Sequence, residues 1–408
     1  MKGSRWISIG LLLGAIALTI STVAVFAKMT PAMDLHYRYN ESLCSHEGIN
    51  PFLVWNGDVV STRFRGLPRP DLPADRDTSK LTVHAYPPWH TAYAWFYGAT
   101  SWTYVAGCVY FLYGICLFAL FSRFRAMLPP GKSDFFWSWL AIMLIPHCFG
   151  CMAAGNYGIV CAGLLLAMIM LIERGHDMLA GSAWGLMMIK PQIATLMFIP
   201  LLMQKKYLSI AVAVAMCLIA TLWPAYVYGE SSLALILQIP KIGAPYETNG
   251  LLAQVLPQNV AQFVKVAWIL FCVSACAFLS WKWHNVKDIA LRFVPVAFIF
   301  PYWMYSQAHD RMASWPFVVA MAILLPQIAR KGHRFCAFVA IYLSLFAFKN
   351  IYSGLWRFCG EVGMTLSPIF GRIYGVVNYP VAITHFAFCL FILWKGPDLF
   401  PAVNENHK

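Results

Sequence analysis

LAGSAWGLMMIKPQIATLMFIPLLM, residues 179 to 203, is an apolar run with a lysine and a proline at its centre. It is long enough to cross a bilayer as a helix, since about 20 apolar residues span a hydrocarbon core about 30 Å thick. Lys190 and Pro191 argue against a straight crossing. A proline inside a helix removes a backbone hydrogen bond and clashes with the preceding turn. A cation at mid-membrane is costly enough to mark a functional position. How this run is threaded decides the topology of all that follows it.

The rest of the chain is apolar in the same way. Of 408 residues, 60% are hydrophobic and only 12% charged, about half the charged share of a soluble domain. Apolar runs recur at residues 6–27, 100–121, 135–150, 157–172, 207–228, 264–281, 289–305, 313–329, 335–349 and 375–394. Unpaired backbone groups are too costly in lipid, so such runs are expected to be helices. The expected fold is an all-α polytopic membrane bundle of about 10 to 12 transmembrane helices, forming a single integral membrane domain over residues 1–408. The first run follows Lys2 and Arg5 and reads either as a signal peptide or as a retained first span. Its length and the spans behind it favour the second.

The net charge of +13 is spread over the loops between apolar runs, which fits membrane topology and not nucleic-acid binding. With the N-terminus cytoplasmic, the basic turns Arg123/Arg125/Lys132, Lys205/Lys206, Lys282/Lys287 and Arg330/Lys331/Arg334 should all face the cytoplasm. They do so only if 179–203 enters and leaves on the same side. Two half-helices meeting at Lys190-Pro191, a broken or re-entrant arrangement, satisfy this where the break is buried in protein. The alternative is one Pro-kinked span whose Lys190 snorkels. The re-entrant topology puts 28–99, 229–262 and 350–374 outside, with an aromatic interfacial helix between Trp89 and Trp102. Most of the twelve cysteines, such as Cys108, Cys116, Cys161, Cys217, Cys272 and Cys276, lie in apolar runs as small buried hydrophobes. Cys148 and Cys151 have metal-like spacing but no second pair, so no metal site is expected.

The first external loop carries most of the polar chemistry. It holds Asp34, Asp58, Asp71, Asp75 and Asp77 beside Arg63, Arg65, Arg69 and Arg76. Asp34 follows the end of the first run by seven residues, where a carboxylate can act as general base beside a lipid-linked substrate; the plain alternative is a solvated loop aspartate. The natural partner of Lys190 is a phosphate. His309, in Gln307-Ala308-His309-Asp310-Arg311, can donate to a leaving phosphate or pair with Asp310. Arg311 can add charge at the same phosphate or snorkel to the headgroups. Asn156 is either an ordinary helix cap or a polar contact. Tyr37, Asn50 in Gly48-Ile49-Asn50-Pro51-Phe52, and Tyr86 in Tyr86-Pro87-Pro88 are candidate substrate contacts within turns that fix the loop's path.

Taken together, Asp34-x-x-Tyr37, Gly-x-Asn-Pro-Phe, Tyr-Pro-Pro, a Gly-Asn helix start and a helix ending in Lys-Pro before a basic turn resemble the family 87 glycosyltransferases of the GT-C class. That family includes polyprenol-phosphate-mannose-dependent α-mannosyltransferases. The motifs cover residues 1 to 210, and the remainder agrees by hydrophobic layout and His309. One motif departs: the family's Gly-Gln-x-Asn reads Gly155-Asn156-Tyr157-Gly158 here. The resemblance implies a GT-C-like bundle that moves a hexosyl group, mannosyl in the best-known members, from a polyprenyl phosphate sugar to an acceptor hydroxyl on the non-cytoplasmic face, with inversion. Asp34 would be the catalytic base, and Lys190 and His309 would contact the donor phosphate with Arg311 beside them. No cofactor beyond the lipid-linked donor is implied, and there is no glycine-rich phosphate loop for a nucleotide. The implied partners are the polyprenyl-phosphate sugar, a glycolipid, polysaccharide or protein acceptor, and the lipids of the inner or plasma membrane. A secondary transporter with a midplane site at Lys190 is the reading from another class, and a scaffold or flippase-like partner in envelope polysaccharide assembly is a third.

Overall fold

The break at Lys190-Pro191 is present. The computed structural model describes residues 33–56, 87–128, 144, 147–247, 258–303, 308–335, 337 and 383–400. No strand occurs among them. The helices are α1 (Met33–His46), α2 (Pro51–Asn56), α3 (Pro88–Tyr93), α4 (Trp95–Gly98), α5 (Trp102–Met127), α6 (His147–Ala154), α7 (Gly158–Glu173), α8 (Asp177–Met187) and α9 (Pro191–Met203). They continue as α10 (Tyr207–Tyr228), α11 (Ser232–Glu247), α12 (Gln258–Trp283), α13 (Ala290–Trp303), α14 (Trp315–Arg330) and α15 (383–395).

Among the described residues four helices are long and apolar enough to cross a membrane, or five if α6 and α7 count as one bent span. Three of them, Trp102–Met127, Tyr207–Tyr228 and Phe263–Trp283, bury only 28%, 28% and 22% of their apolar window, whereas Asp310–Arg330 buries 78%. The first three therefore form the rim and the fourth the centre. The rim helices turn Phe111, Phe118, Ile219 and Phe263 outward. A continuous apolar exterior of this kind is a contact surface, and for a chain of this composition it is the surface that meets lipid. The protein is thus embedded in the membrane. The expected count of ten to twelve spans extends over 6–27, most of 135–150 and most of 335–349, which lie outside the described residues. The expected span at 289–305 is the short apolar helix α13, and the one at 157–172 is α7.

Two breaks shape the interior. Between α6 and α7 the chain turns by 118° through Gly155, whose φ of +65° lies in the left-handed region that suits glycine. The second break separates α8 from α9. Proline opens α9 at its first position, where its missing N–H would have had no helical partner. The chain then returns to where α8 began: Lys206 Nζ meets Asp177 Oδ1 at 2.9 Å, and Ser209 Oγ donates to the Asp177 carbonyl at 2.8 Å. The two arms of this hairpin touch where Trp184 Nε1 donates to Ala194 O at 2.9 Å. α8 packs closely along α10, because a Cβ at Gly181 would lie 2.5 Å from the Ser209 carbonyl oxygen. Small residues at such crossings let helix backbones approach in a membrane.

A broken helix strands backbone carbonyls, which must find donors when water is absent. Here they find tryptophans. Trp89 Nε1 donates to Met188 O at 2.8 Å, Trp303 Nε1 to Gln192 O at 2.8 Å, and Trp184 to Ala194 as above.

Candidate active site

Asp34 lies in the first turn of α1 and is half-buried. Its Oδ2 accepts a hydrogen bond from Asn156 Nδ2 at 2.5 Å. Asn156 is itself held on three sides. Its Oδ1 accepts from the Gly158 amide at 3.0 Å, its carbonyl accepts from Tyr113 of α5 at 2.8 Å, and its own amide bonds to Cys151 O at 2.9 Å. Asn156 stands one residue before Tyr157, the N-cap of α7, and joins the first amide of that helix to the Asp34 carboxylate.

Lys190 meets Asp310 in a direct ion pair, with the two side chains 2% and 1% exposed. Within the protein this lysine is paired with a carboxylate on the turn that precedes α14. His309 lies on the same turn, Ala308–Ser314, but its side chain is outside the described residues, as is all of Tyr86. Arg311 follows Asp310 and faces a cavity between α13, α14 and α15, together with His147 and His385. The turn is tied to α6, since Cys148 Sγ contacts Met312 Sδ at 3.4 Å.

The remaining sequence candidates are placed as follows. Tyr37 is buried on α1. Asn50 is used by the fold: its Oδ1 accepts from the Phe52 amide at 2.9 Å and its Nδ2 donates to Glu230 at 2.7 Å. It thereby ties the loop to the segment after α10.

Sequence reasoning missed a buried polar network one turn along α1 from Asp34. Arg38 Nη1 bonds to Glu41 Oε1 at 2.5 Å, and His90 Nδ1 lies 3.8 Å from Glu41 Oε2. His90 Nε2 meets the Tyr157 hydroxyl at 3.2 Å, which in turn donates to Tyr97 at 3.1 Å. α3 thus holds both breaks, with Trp89 on the α8–α9 break and His90 on the α6–α7 turn. The i, i+3 spacing of Arg38 and Glu41 was the available signal, since such pairs share a helix face.

Burial pushes the His90 imidazole well below its ordinary 6.5, with the Arg38 charge acting in the same direction. The folded protein therefore holds this histidine neutral while the unfolded chain protonates near 6.5. The resulting stability is complete above that pH and is lost as the pH falls below it. The melting temperature of the parent should fall between pH 7 and pH 5 more steeply than that of His90→Gln, as followed by thermal unfolding in detergent. Parallel profiles would remove His90 from the pH response.

Buried ion pairs and a lightly shielded carboxylate, brought together at helix breaks inside an apolar bundle, define a polytopic membrane protein with an internal polar centre. Residues 84–325, more than half of the chain, match the model of glycosyltransferase family 87, and the chain belongs to that family. It is accordingly a glycosyltransferase, with a sugar donor and an acceptor as substrates. The match includes Asn156, Lys190, His309 and Arg311, and α1 with Asp34 joins it through the contacts above. No curated protein and no solved structure matches the chain.

Proposed function

We propose that this glycosyltransferase moves a hexosyl group, mannosyl in the first instance, from a polyprenyl phosphate to an acceptor hydroxyl on the non-cytoplasmic face of the inner or plasma membrane. The acceptor is a glycolipid, polysaccharide or protein. The observation that carries this reading is the Asp34 carboxylate fixed by Asn156 at the α6–α7 turn. In the reaction, the acceptor oxygen bonds to the anomeric carbon and passes its proton to Asp34. The bond from that carbon to the phosphate oxygen breaks, and the electron pair leaves with the polyprenyl phosphate. A single displacement of this kind inverts the anomeric centre. The departing phosphate gains negative charge, which cations fixed in a water-poor site stabilise strongly; Lys190, His309 and Arg311 are the groups assigned to it. The return of the α8–α9 hairpin to the level of Asp177 supports a re-entrant segment and, with it, a cytoplasmic N-terminus. The transporter reading finds no support in the family.

The test uses the protein in lipid nanodiscs with a polyprenyl-phosphate hexose or the matching nucleotide sugar, and a panel of acceptors. Polyprenyl phosphate should be released from the first, with no nucleoside diphosphate from the second. Turnover of the nucleotide sugar alone would overturn the donor assignment.

A further inference from the structure

A single side-chain contact lets two helices pivot about it. The hydrogen bond from Asn156 to Asp34 therefore holds the carboxylate in one place only if α1 is tied to the α6–α7 turn a second time. That tie runs through α4 and α3. Ser42 Oγ of α1 accepts from the Gly98 amide at 2.8 Å and donates to the Ala94 carbonyl at 3.0 Å. A Cβ at Gly98 would lie 3.0 Å from the Ser42 carbonyl oxygen, so the end of α4 rests directly on the backbone of α1. From the far side, the Tyr157 hydroxyl donates to the Tyr97 hydroxyl of α4 at 3.1 Å and meets His90 Nε2 of α3 at 3.2 Å. Tyr157 adjoins Asn156, whose side chain returns to Asp34.

These contacts close a ring, from Asp34 along α1 to Ser42, across to α4 and α3, and back through Tyr157 and Asn156. Ser42 lies about 12 Å along the helix from Asp34, so α1 is gripped at two well-separated points. The ring is also anchored. His90 and Tyr157 are 2% and 6% exposed, and Trp89, beside His90, donates to Met188 O at 2.8 Å, which fixes α3 against the α8–α9 break. Apolar side chains would pack α3 on α7 without the cost of burying two hydroxyls and an imidazole. What the polar contacts add is direction, since a satisfied buried network specifies one arrangement.

Direction matters at Asp34. A general base acts only within hydrogen-bond reach of the proton it takes, and a displacement of about 1 Å can cost about 10²-fold in rate. We infer that Tyr157 and His90 are positioning residues for the transfer reaction, holding the α6–α7 turn so that Asn156 presents the Asp34 carboxylate to the acceptor hydroxyl. The inference rests on Asp34 as the base, and it adds two residues to which neither the sequence motifs nor the family match gives a role.

The test is single-turnover transfer from a polyprenyl-phosphate hexose by the full chain in nanodiscs. Tyr157→Phe removes one oxygen and keeps the ring; it should slow transfer about tenfold or more with the KM for the donor close to that of the parent. His90→Phe should do the same, and His90→Gln, whose amide can still meet the Tyr157 hydroxyl, should recover most of the loss. The decisive measurement places Tyr157→Phe in the Asp34→Asn background. A residue that acts through the base has nothing left to position there, so the second substitution should cost less than about twofold. A purely structural residue would cost as much in either background, and that result overturns the inference. So does a Tyr157→Phe variant that transfers like the parent, or a His90→Gln variant no faster than His90→Phe. If Asp34→Asn itself transfers like the parent, the base assignment falls and the inference with it; if Asp34→Asn is slow but the losses simply multiply, only the inference falls.

Discussion

Asp34→Asn is expected to slow sugar transfer by about 10²- to 10⁴-fold, the usual contribution of a positioned general base. Asparagine keeps the volume and planarity of the side chain, and its carbonyl oxygen can still accept the hydrogen bond that Asn156 gives to Asp34. What it lacks is the ability to take the proton from the acceptor hydroxyl. The loss should therefore fall on the chemical step, with donor affinity and melting temperature close to those of the parent. Single-turnover release of polyprenyl phosphate isolates that step. A rate within about tenfold of the parent, less than a general base contributes, would place the base elsewhere. Asn156→Ala should lose less than Asp34→Asn, because it removes one hydrogen bond to the carboxylate and leaves the carboxylate itself in place.

Lys190→Met is the second large effect, and it divides stability from activity. Removing one member of a buried ion pair leaves the other charge without its main counterpart, at a cost of about 3–5 kcal/mol. Lys190 and Asp310 are both within 2% of full burial, so little solvent is at hand to soften this. The folded yield and melting temperature of Lys190→Met should fall sharply. The double variant Lys190→Met/Asp310→Leu replaces the pair by apolar groups and should recover most of the melting temperature, since buried pairs are often no more stabilising than well-packed hydrophobes. Its transfer rate should nonetheless stay about tenfold or more below the parent, as loss of a charge at the leaving phosphate demands. Full recovery of both would make the pair a structural device only.

The helical class and the α8–α9 break were legible in the sequence because their causes are local. Lys190 and Pro191 stand side by side in an apolar run, and their costs in lipid are known in advance. Asp34 stands out in the sequence by its place after the first run and by the turns that follow it, but its link to Asn156 bridges 122 positions. The Lys190–Asp310 pair bridges 120, and no periodicity encodes a contact at that range. The polar network of α1 was hidden for a different reason: Arg38, Glu41 and His90 lie in a segment whose many charges read as a solvated loop, and only packing shows that these three are buried. His147 and His385 fell inside or beside apolar runs, where an isolated histidine gives no direction.

The tryptophan clasp on the α8–α9 break also dictates an order of events during synthesis. Trp89 leaves the ribosome 99 residues before the Met188 carbonyl that it meets. Trp303, which meets Gln192, emerges 111 residues after it. The hairpin is therefore inserted with part of its backbone still unanswered, and it is completed only when α13 has arrived. Until then the half-built centre offers bare carbonyls to the membrane, and Lys190 waits for Asp310 on the turn after α13, so the interval between α9 and that turn is the stage at which insertion machinery has the most to shield.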